Sequence, residues 1–325
     1  MDSQIINWGI IGAGKIAAKF ATDLNTVPNS KLYAIASRNI EKAKVFAQKF
    51  NVDLVYGSYK ELALDPNIDA IYIATPHSFH KAHTILCLNQ HKPVLCEKPF
   101  AMNLKEVEEM IQLSKQNKTL LMEAMWTIFL PHYQYVLELI KNRHYGEILK
   151  LEADFGFHPV YNVTSRVFDK SVGGGSLLDI GIYPVFAALS ALGKPNTINA
   201  KAEFFASGAD SECEIIFHYD NAKAFLKSTL LEETNTEAIF HCENGTIKIK
   251  GRFHEPSSVV LIDRHGNTET KTFNYNSIGY SYEIAHFNKL IRDHKTESDI
   301  MTFEKSRQLI STLDDIRKLI GLVYN

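Results

Sequence analysis

Hydrophobic and polar positions change their rhythm once along this chain. Through the first 124 residues, short apolar runs alternate with stretches of helical period. The runs cover residues 7–11, 32–37, 54–56, 70–75, 93–97 and 120–123. They are apolar without alternation, which is the pattern of strands buried on both faces. Between them, 15–24, 40–50, 78–89 and 104–116 read as amphipathic helices. Strand–helix alternation at this spacing predicts an α/β fold with a doubly wound parallel sheet. Such a sheet binds ligands beyond the carboxyl ends of its strands.

The second rhythm is different. A helix is expected over 131–142, closed by Gly146. From residue 149 strands follow one another, at 149–157, 200–206, 213–219, 224–231, 238–241, 246–250 and 259–263. Asn244-Gly245 and His265-Gly266-Asn267 are hairpin turn signals. A large, mostly antiparallel sheet, open on one face, is the expectation. The apolar stretch 177–192 would pack against it as one long helix, and 282–294 and 303–322 read as amphipathic helices. Two domains are expected, a dinucleotide-type α/β domain over 1–124 and an α+β domain over 125–325.

Composition excludes several classes of function. Lys plus Arg number 35 and Asp plus Glu 37, a net charge of −2, so no basic footprint for nucleic acid or anionic membrane is expected. No apolar run reaches 18 residues, and the start MDSQIINWGIIGAG lacks a basic leader, so neither a membrane span nor a secretory signal is expected. Cys87, Cys96, Cys213 and Cys242 include no CxxC pair and suit the reduced thiols of a cytoplasmic protein.

The first apolar run ends in Gly12-Ala13-Gly14-Lys15-Ile16-Ala17, a GxGxxA that opens the first helix. Gly12 allows the tight turn, Gly14 lets the backbone approach a pyrophosphate, and Ala17 permits close helix–strand packing. The N–H groups at Lys15 and Ile16 begin a helix whose positive end suits phosphate. This is the fingerprint of a Rossmann dinucleotide site. The second run ends in Ser37-Arg38, with no carboxylate at its tip. A hydroxyl and a forked guanidinium suit a ribose 2′-phosphate, so NADP is expected over NAD, with Glu41 near enough to keep NAD open.

Two further clusters carry chemistry. Glu97-Lys98-Pro99 closes the fifth run on the ligand edge. In Gly173-Gly174-Gly175-Ser176-Leu177-Leu178-Asp179-Ile180-Gly181-Ile182-Tyr183, Asp179 and Tyr183 are four apart and share a helix face. A helix-start Asp and a satisfied core Tyr are the other reading of that pair. Bringing a tyrosine from about 10 to about 7 requires roughly 4 kcal/mol. A lysine cation about 4 Å away supplies roughly 4 kcal/mol at an effective dielectric of about 20. His77, His80 and His83 are spaced three apart, yet no fourth ligand is evident and no metal is expected.

Taken in order, WGIIGAGKIA, ASRNIEKA, ATPHSFH, VLCEKP, EAMWTIFLP and SRVFDKSVGGGSLLDIGIYP resemble the Gfo/Idh/MocA oxidoreductase family along essentially the whole chain. Within it, the branch of dihydrodiol and D-xylose dehydrogenases is the most similar. The resemblance implies hydride transfer between a nicotinamide cofactor and a sugar, polyol or cyclic vicinal diol. It implies Lys98 as the catalytic lysine, Tyr183 as the acid/base and Asp179 on the substrate side. Trp126, Arg166 and Phe168 would line the substrate pocket, while Thr75, Pro76, His80 and Glu97 would join Lys98 near the cofactor. Where that branch usually carries Arg, this chain has Ile128. The resemblance also implies a homodimer or homotetramer through the open sheet. Two other functions stay open on the same fold, a non-catalytic sensor of cofactor or metabolite and a nicotinamide-assisted glycosidase.

Overall fold

The computed structural model describes residues 4–162 and 164–324. They form two compact units. The first comprises Met1–Trp126 and Asn276–Arg307, the second Thr127–Tyr275 and Gln308–Asn325.

The first unit is built on a six-stranded parallel sheet. Its strands are β1 (Ile6–Ile11), β2 (Ser30–Ala36), β3 (Leu54–Tyr56), β4 (Ala70–Ile73), β5 (Val94–Glu97) and β6 (Leu121–Ala124), in the order β3-β2-β1-β4-β5-β6. This is the doubly wound order, in which the winding reverses beside β1. Every residue of β4, β5 and β6 is buried, which is why these strands read as unbroken apolar runs. The crossovers are α1 (Lys15–Leu24), α2 (Ile40–Phe50), α3 (Tyr59–Leu64), α4 (His80–Leu88) and α5 (Leu104–Asn117). The sequence pattern misses α3, whose six residues are too few to show a period; Ser58 caps it by accepting from Lys60 N–H.

Helix α8 (Tyr280–Arg292) also belongs here, although the sequence reading assigned it to the second domain. Buried Asp23, on α1, is the reason. Its carboxylate accepts from the backbone N–H groups of Ile278, Gly279, Tyr280 and Ser281, at the start of α8. Trp8 Nε1 donates to Asn288 at 3.1 Å, and its ring packs 5.3 Å from that of Phe287. Helical period shows that 282–294 is amphipathic. It does not show which sheet the apolar face covers.

The second unit carries an eight-stranded sheet. Its members are β7 (Ile148–Gly156), β8 (Thr197–Phe204), β9 (Asp210–His218), β10 (Lys223–Thr229), β11 (Ala238–Cys242), β12 (Gly245–Ile249), β13 (Val259–Asp263) and β14 (Thr268–Lys271). Their order is β14-β13-β12-β11-β7-β10-β9-β8. Only β7 and β10 pair in parallel among them. In β10, buried Ala224 and Leu226 alternate with Lys223 and Phe225 on the open face. Fully exposed, polar β14 had no apolar alternation to betray it. Helices α6 (Pro131–Lys141) and α7 (Ile182–Leu192) lie in this unit, and the cut at Arg307 falls inside α9 (Phe303–Leu319).

The long helix expected over 177–192 is not one regular helix. It begins as a π-helical turn, Leu177–Gly181, and becomes α-helical only at Ile182. The wide turn accommodates β10, since a Cβ on Gly181 would stand 2.7 Å from Ser228 Oγ. Asp210 caps its start, accepting from Ser176 Oγ at 2.8 Å and Leu177 N–H at 2.6 Å. One segment, Lys170–Leu192, is long and apolar enough on average to cross a membrane by length and composition only, though no uninterrupted apolar run in it reaches 18 residues. Most of it is buried as the core of this unit. Cys87, Cys96 and Cys213 are buried free thiols, and Cys242 is a half-buried one.

Candidate functional site

In the first unit the expected cofactor residues all fall at the carboxyl ends of parallel strands. Gly12, Gly14, Lys15, Ile16 and Ala17 follow β1, and Ser37 and Arg38 follow β2. Thr75, Pro76 and His80 follow β4, Glu97 ends β5 with Lys98 next, and Trp126, expected at the substrate, follows β6.

The two glycines of the motif are there for different reasons. Gly12 has φ +103°, and a Cβ on it would stand 2.7 Å from the Ala74 carbonyl oxygen. Only glycine fits. Gly14 is extended, with φ −91° and ψ −176°, and a Cβ there would meet no protein atom within 4 Å. Nothing in the fold demands glycine at this position. Its effect is to keep the approach to the α1 N-terminus clear. That terminus has no side-chain cap and no acidic residue in its first turn, so its N–H groups suit an external anion. Ala17 is fully buried beneath. A dinucleotide pyrophosphate fits this arrangement.

At the end of β2, buried Ser37 accepts from Asn39 N–H at 3.2 Å. The exposed Arg38 guanidinium lies over the Phe79 ring, 5.2 Å from its centre. Glu41, the rival carboxylate, is paired with Lys44 at 2.9 Å.

The backbone around Lys98 is anchored on both sides. Glu97 accepts from the Tyr72 hydroxyl and, at 3.1 Å, from Lys98 N–H. Tyr72 is buried and stacked on Phe20 at 3.7 Å; burial, with Glu97 adding, holds its phenol well above the ordinary range. The Lys98–Pro99 peptide is cis. Fully buried His80 reaches the Pro99 carbonyl with Nδ1 and the Thr75 carbonyl with Nε2, both at 2.8 Å. Carbonyl oxygens only accept, so the two contacts together need a donor at each ring nitrogen. Phe100 N–H donates to Glu123 at 3.0 Å, and burial pushes the Glu123 carboxyl up to about 7. His83 Nδ1 and the Thr75 hydroxyl share a hydrogen bond at 3.0 Å, and burial brings the ring down to about 4, which keeps it neutral.

Below this segment lies an acid that the sequence did not signal. Glu283, on α8, is fully buried and neither of its oxygens has a hydrogen-bond partner. Burial, reinforced by the charges of Glu97 and Asp23, raises its carboxyl well above the usual range. Trp126 is also buried, stacked on Tyr280 at 4.4 Å.

The second unit holds the remaining expected residues. Arg166 donates to Asp179 at 2.7 Å, so the aspartate is oriented by a guanidinium. Tyr183, four residues on, is buried against His254 at 4.6 Å and Phe155 at 5.8 Å. Phe168 is fully buried in an aromatic cluster with Tyr161 and Phe205, at 4.8 and 5.0 Å. Ile128 is also core, its carbonyl accepting from the Gln134 side chain. Phe155, Arg252, His254 and Glu255 were not foreseen, because they come from a strand and a loop with no recognisable spacing.

Residues 6–125 match the model of an oxidoreductase family with an NAD-binding Rossmann fold, and 133–248 match the GFO/IDH/MocA C-terminal domain. Over 327 residues, 98% of either chain, the sequence is 36% identical to trans-1,2-dihydrobenzene-1,2-diol dehydrogenase of Xenopus tropicalis. It is 34% identical, again over 327 residues and 98% of either chain, to scyllo-inositol 2-dehydrogenase (NADP(+)) IolU of Bacillus subtilis (strain 168). The fold is similar to that of KijD10, a 3-ketoreductase from Actinomadura kijaniata solved with NADP and TDP-benzene. That likeness has a TM-score of 0.88 at 24% identity and covers 99% of this chain and 100% of the other.

Proposed function

Because the chain belongs to the GFO/IDH/MocA family of NAD(P)-binding oxidoreductases, we propose that it is a dehydrogenase or reductase acting on CH–OH groups, NADP-dependent by preference. Its substrate class is a sugar, a polyol or a cyclic vicinal diol. One observation carries the reading: an uncapped α1 N-terminus cleared by Gly14, on the same carboxyl edge of the sheet as a lysine after β5 whose backbone is fixed on both sides. The names of relatives acting on diols and inositols support the substrate class.

Gly12, Gly14 and the N–H groups of Lys15, Ile16 and Ala17 would hold the pyrophosphate. Ser37 and Arg38 would hold the ribose and its 2′-phosphate, and Thr75, Pro76, His80 and Glu97 would frame the far end. When bound, the dinucleotide supplies a hydride acceptor or donor. Tyr183 takes the hydroxyl proton at its phenolic oxygen and returns it in the reverse direction. Lys98 contributes a cation that favours the developing oxyanion. Asp179, oriented by Arg166, receives a substrate hydroxyl. Trp126 borders the substrate, and Phe168 backs the segment that carries Arg166. The open sheet face, which pairs Lys201 with Glu214 and exposes Phe225, joins two or four copies of the chain.

The test is nicotinamide absorbance with NADP⁺ or NAD⁺ and a panel of aldoses, inositols and vicinal diols. Reduced cofactor should form with one class, NADP⁺ preferred. Lys98→Met and Tyr183→Phe should each lose about 10²–10⁴-fold in turnover while still binding cofactor. Wild-type turnover in both variants would overturn the reading.

A further inference from the structure

The loop after β12 delivers a histidine to the ring of Tyr183. The chain turns at Arg252, a non-glycine residue with φ +60°. The turn is tied down from several elements. Phe253 N–H donates to the Thr236 carbonyl at 3.0 Å. His132 Nε2 donates to the Phe253 carbonyl at 2.9 Å, and Thr127 Oγ1 donates to the His254 carbonyl at 3.0 Å. Burial brings His132 down to about 4, so it acts as a neutral donor, accepting at Nδ1 from the Tyr275 hydroxyl. The result is a three-ring cluster in which the buried His254 ring packs on both Phe155, at 4.3 Å and 27°, and Tyr183, at 4.6 Å and 37°, while Phe155 and Tyr183 are themselves 5.8 Å apart.

The charges around this cluster are arranged in series. His254 Nε2 is 3.6 Å from Glu255 Oε1. Arg252 grips the same carboxylate with Nε at 2.8 Å and Nη2 at 2.7 Å. Burial works against the Glu255 anion, yet the Arg252 fork and His254 hold its carboxyl well below the usual range. The Arg252 guanidinium is held more basic, first by its bond to Glu255, with Glu233 and Tyr183 adding. Asp179, one turn before Tyr183, is engaged by Arg166. Phe155, from β7, brings no charge. A carboxylate beside an imidazole favours the imidazolium, and an imidazolium against a phenol favours the phenolate.

We propose that His254 is a positioning residue for Tyr183: its ring clamps the phenol in one orientation and, kept charged by Glu255, favours the phenolate. This rests on the reading of Tyr183 as the proton acceptor, and the experiment separates the two. The phenolate absorbance of Tyr183 is titrated as the difference between each protein and its Tyr183→Phe counterpart, in wild type, His254→Phe and His254→Gln. Phe keeps the stacking and loses the charge. Gln keeps a polar contact for Glu255 and also loses the charge. Both replacements are expected to move the Tyr183 titration upward by about half a pH unit or more, a factor of about three or more in phenolate at fixed pH. The base limb of turnover should move with it, while KM stays within about twofold. An unmoved or lowered Tyr183 titration in either folded variant overturns the proposal, whatever the turnover. Turnover of Tyr183→Phe alone, by contrast, decides only whether Tyr183 is the acid/base.

Discussion

Replacing Glu283 by Gln removes an ionisable group and changes little in shape. The magnitude follows from where Glu283 sits. It is fully buried, without a hydrogen-bond partner, and near the charges of Glu97 and Asp23. In the unfolded chain its carboxyl titrates at about 4.3. In the folded unit burial raises it well above that. Between the two values the native state holds a proton that the unfolded state has lost, so stability falls as pH rises, by about 1.4 kcal/mol per unit. The stabilising effect is complete below the unfolded value and disappears through the native one. Gln carries no such dependence. The buried amide leaves unpaired groups much as the carboxylic acid does, so the two proteins should be similar in stability below about pH 4, where both native and unfolded carboxyls are protonated. At higher pH the Gln variant should be the more stable, by a margin that widens as pH rises from the unfolded value toward the raised native one. Glu123, raised to about 7, and Asp210, raised to about 6, titrate in both proteins and cancel in the difference. Urea unfolding followed by tryptophan fluorescence is the assay. The chain has 2 tryptophans, Trp8 and Trp126, and both lie in the unit that holds Glu283. A difference in unfolding free energy that stays flat from about pH 5 to 8 would refute the argument.

Gly12 and Gly14 should separate folding from binding. Gly12→Ala is expected to cost about 1–3 kcal/mol of stability, because its left-handed φ and the Ala74 carbonyl both oppose a side chain; thermal unfolding checks this. Gly14→Ala should leave stability within about 0.5 kcal/mol and weaken dinucleotide binding, a split that calorimetry of binding and of unfolding reads separately. Arg38→Ala should reduce the NADP⁺-to-NAD⁺ affinity ratio by about 10–100-fold, the scale of a charge-assisted pair, and an unchanged ratio removes Arg38 as the phosphate ligand. Asp23→Ala deprives the Ile278, Tyr280 and Ser281 N–H groups of their acceptor, leaves Gly279 N–H only Ser277 Oγ, and should destabilise the first unit by about 2 kcal/mol or more, with amide exchange accelerating first at the start of α8.

How legible all this was depended on whether a residue's role is local. The parallel sheet could be read because β4, β5 and β6 are buried on both faces, and such strands cannot alternate. The α1 and α2 ranges were also recovered, since ten or eleven residues suffice to show a period. Six-residue α3 and fully exposed β14 carry too little pattern. The motif GxGxxA was visible, but the distinct reasons for its two glycines were not. One depends on the Ala74 carbonyl, some sixty residues away in sequence, and the other on the absence of any protein neighbour. The return of α8 to the first unit depends on Asp23, which as a sequence letter is one more acid on a surface helix.

The same distinction explains why the candidate lysine was visible and its support was not. Lys98 announces itself by standing in Glu97-Lys98-Pro99 at a strand end. What fixes it comes from elsewhere: His80 from α4 on the Pro99 carbonyl and Glu123 from β6 on the Phe100 N–H. Both supports are buried polar groups, and each is stabilised only by the partner it holds in place. Glu123 even sits at the end of an apolar run, where periodicity counts it as strand and gives no reason for the charge. Glu283 differs from both, since it bonds to nothing and so anchors nothing. A buried carboxyl that anchors nothing lowers stability without positioning the lysine. The Gln variant should therefore keep the geometry of the Lys98 segment, whereas His80→Phe, which strands the Pro99 and Thr75 carbonyls, should lose turnover and stability together.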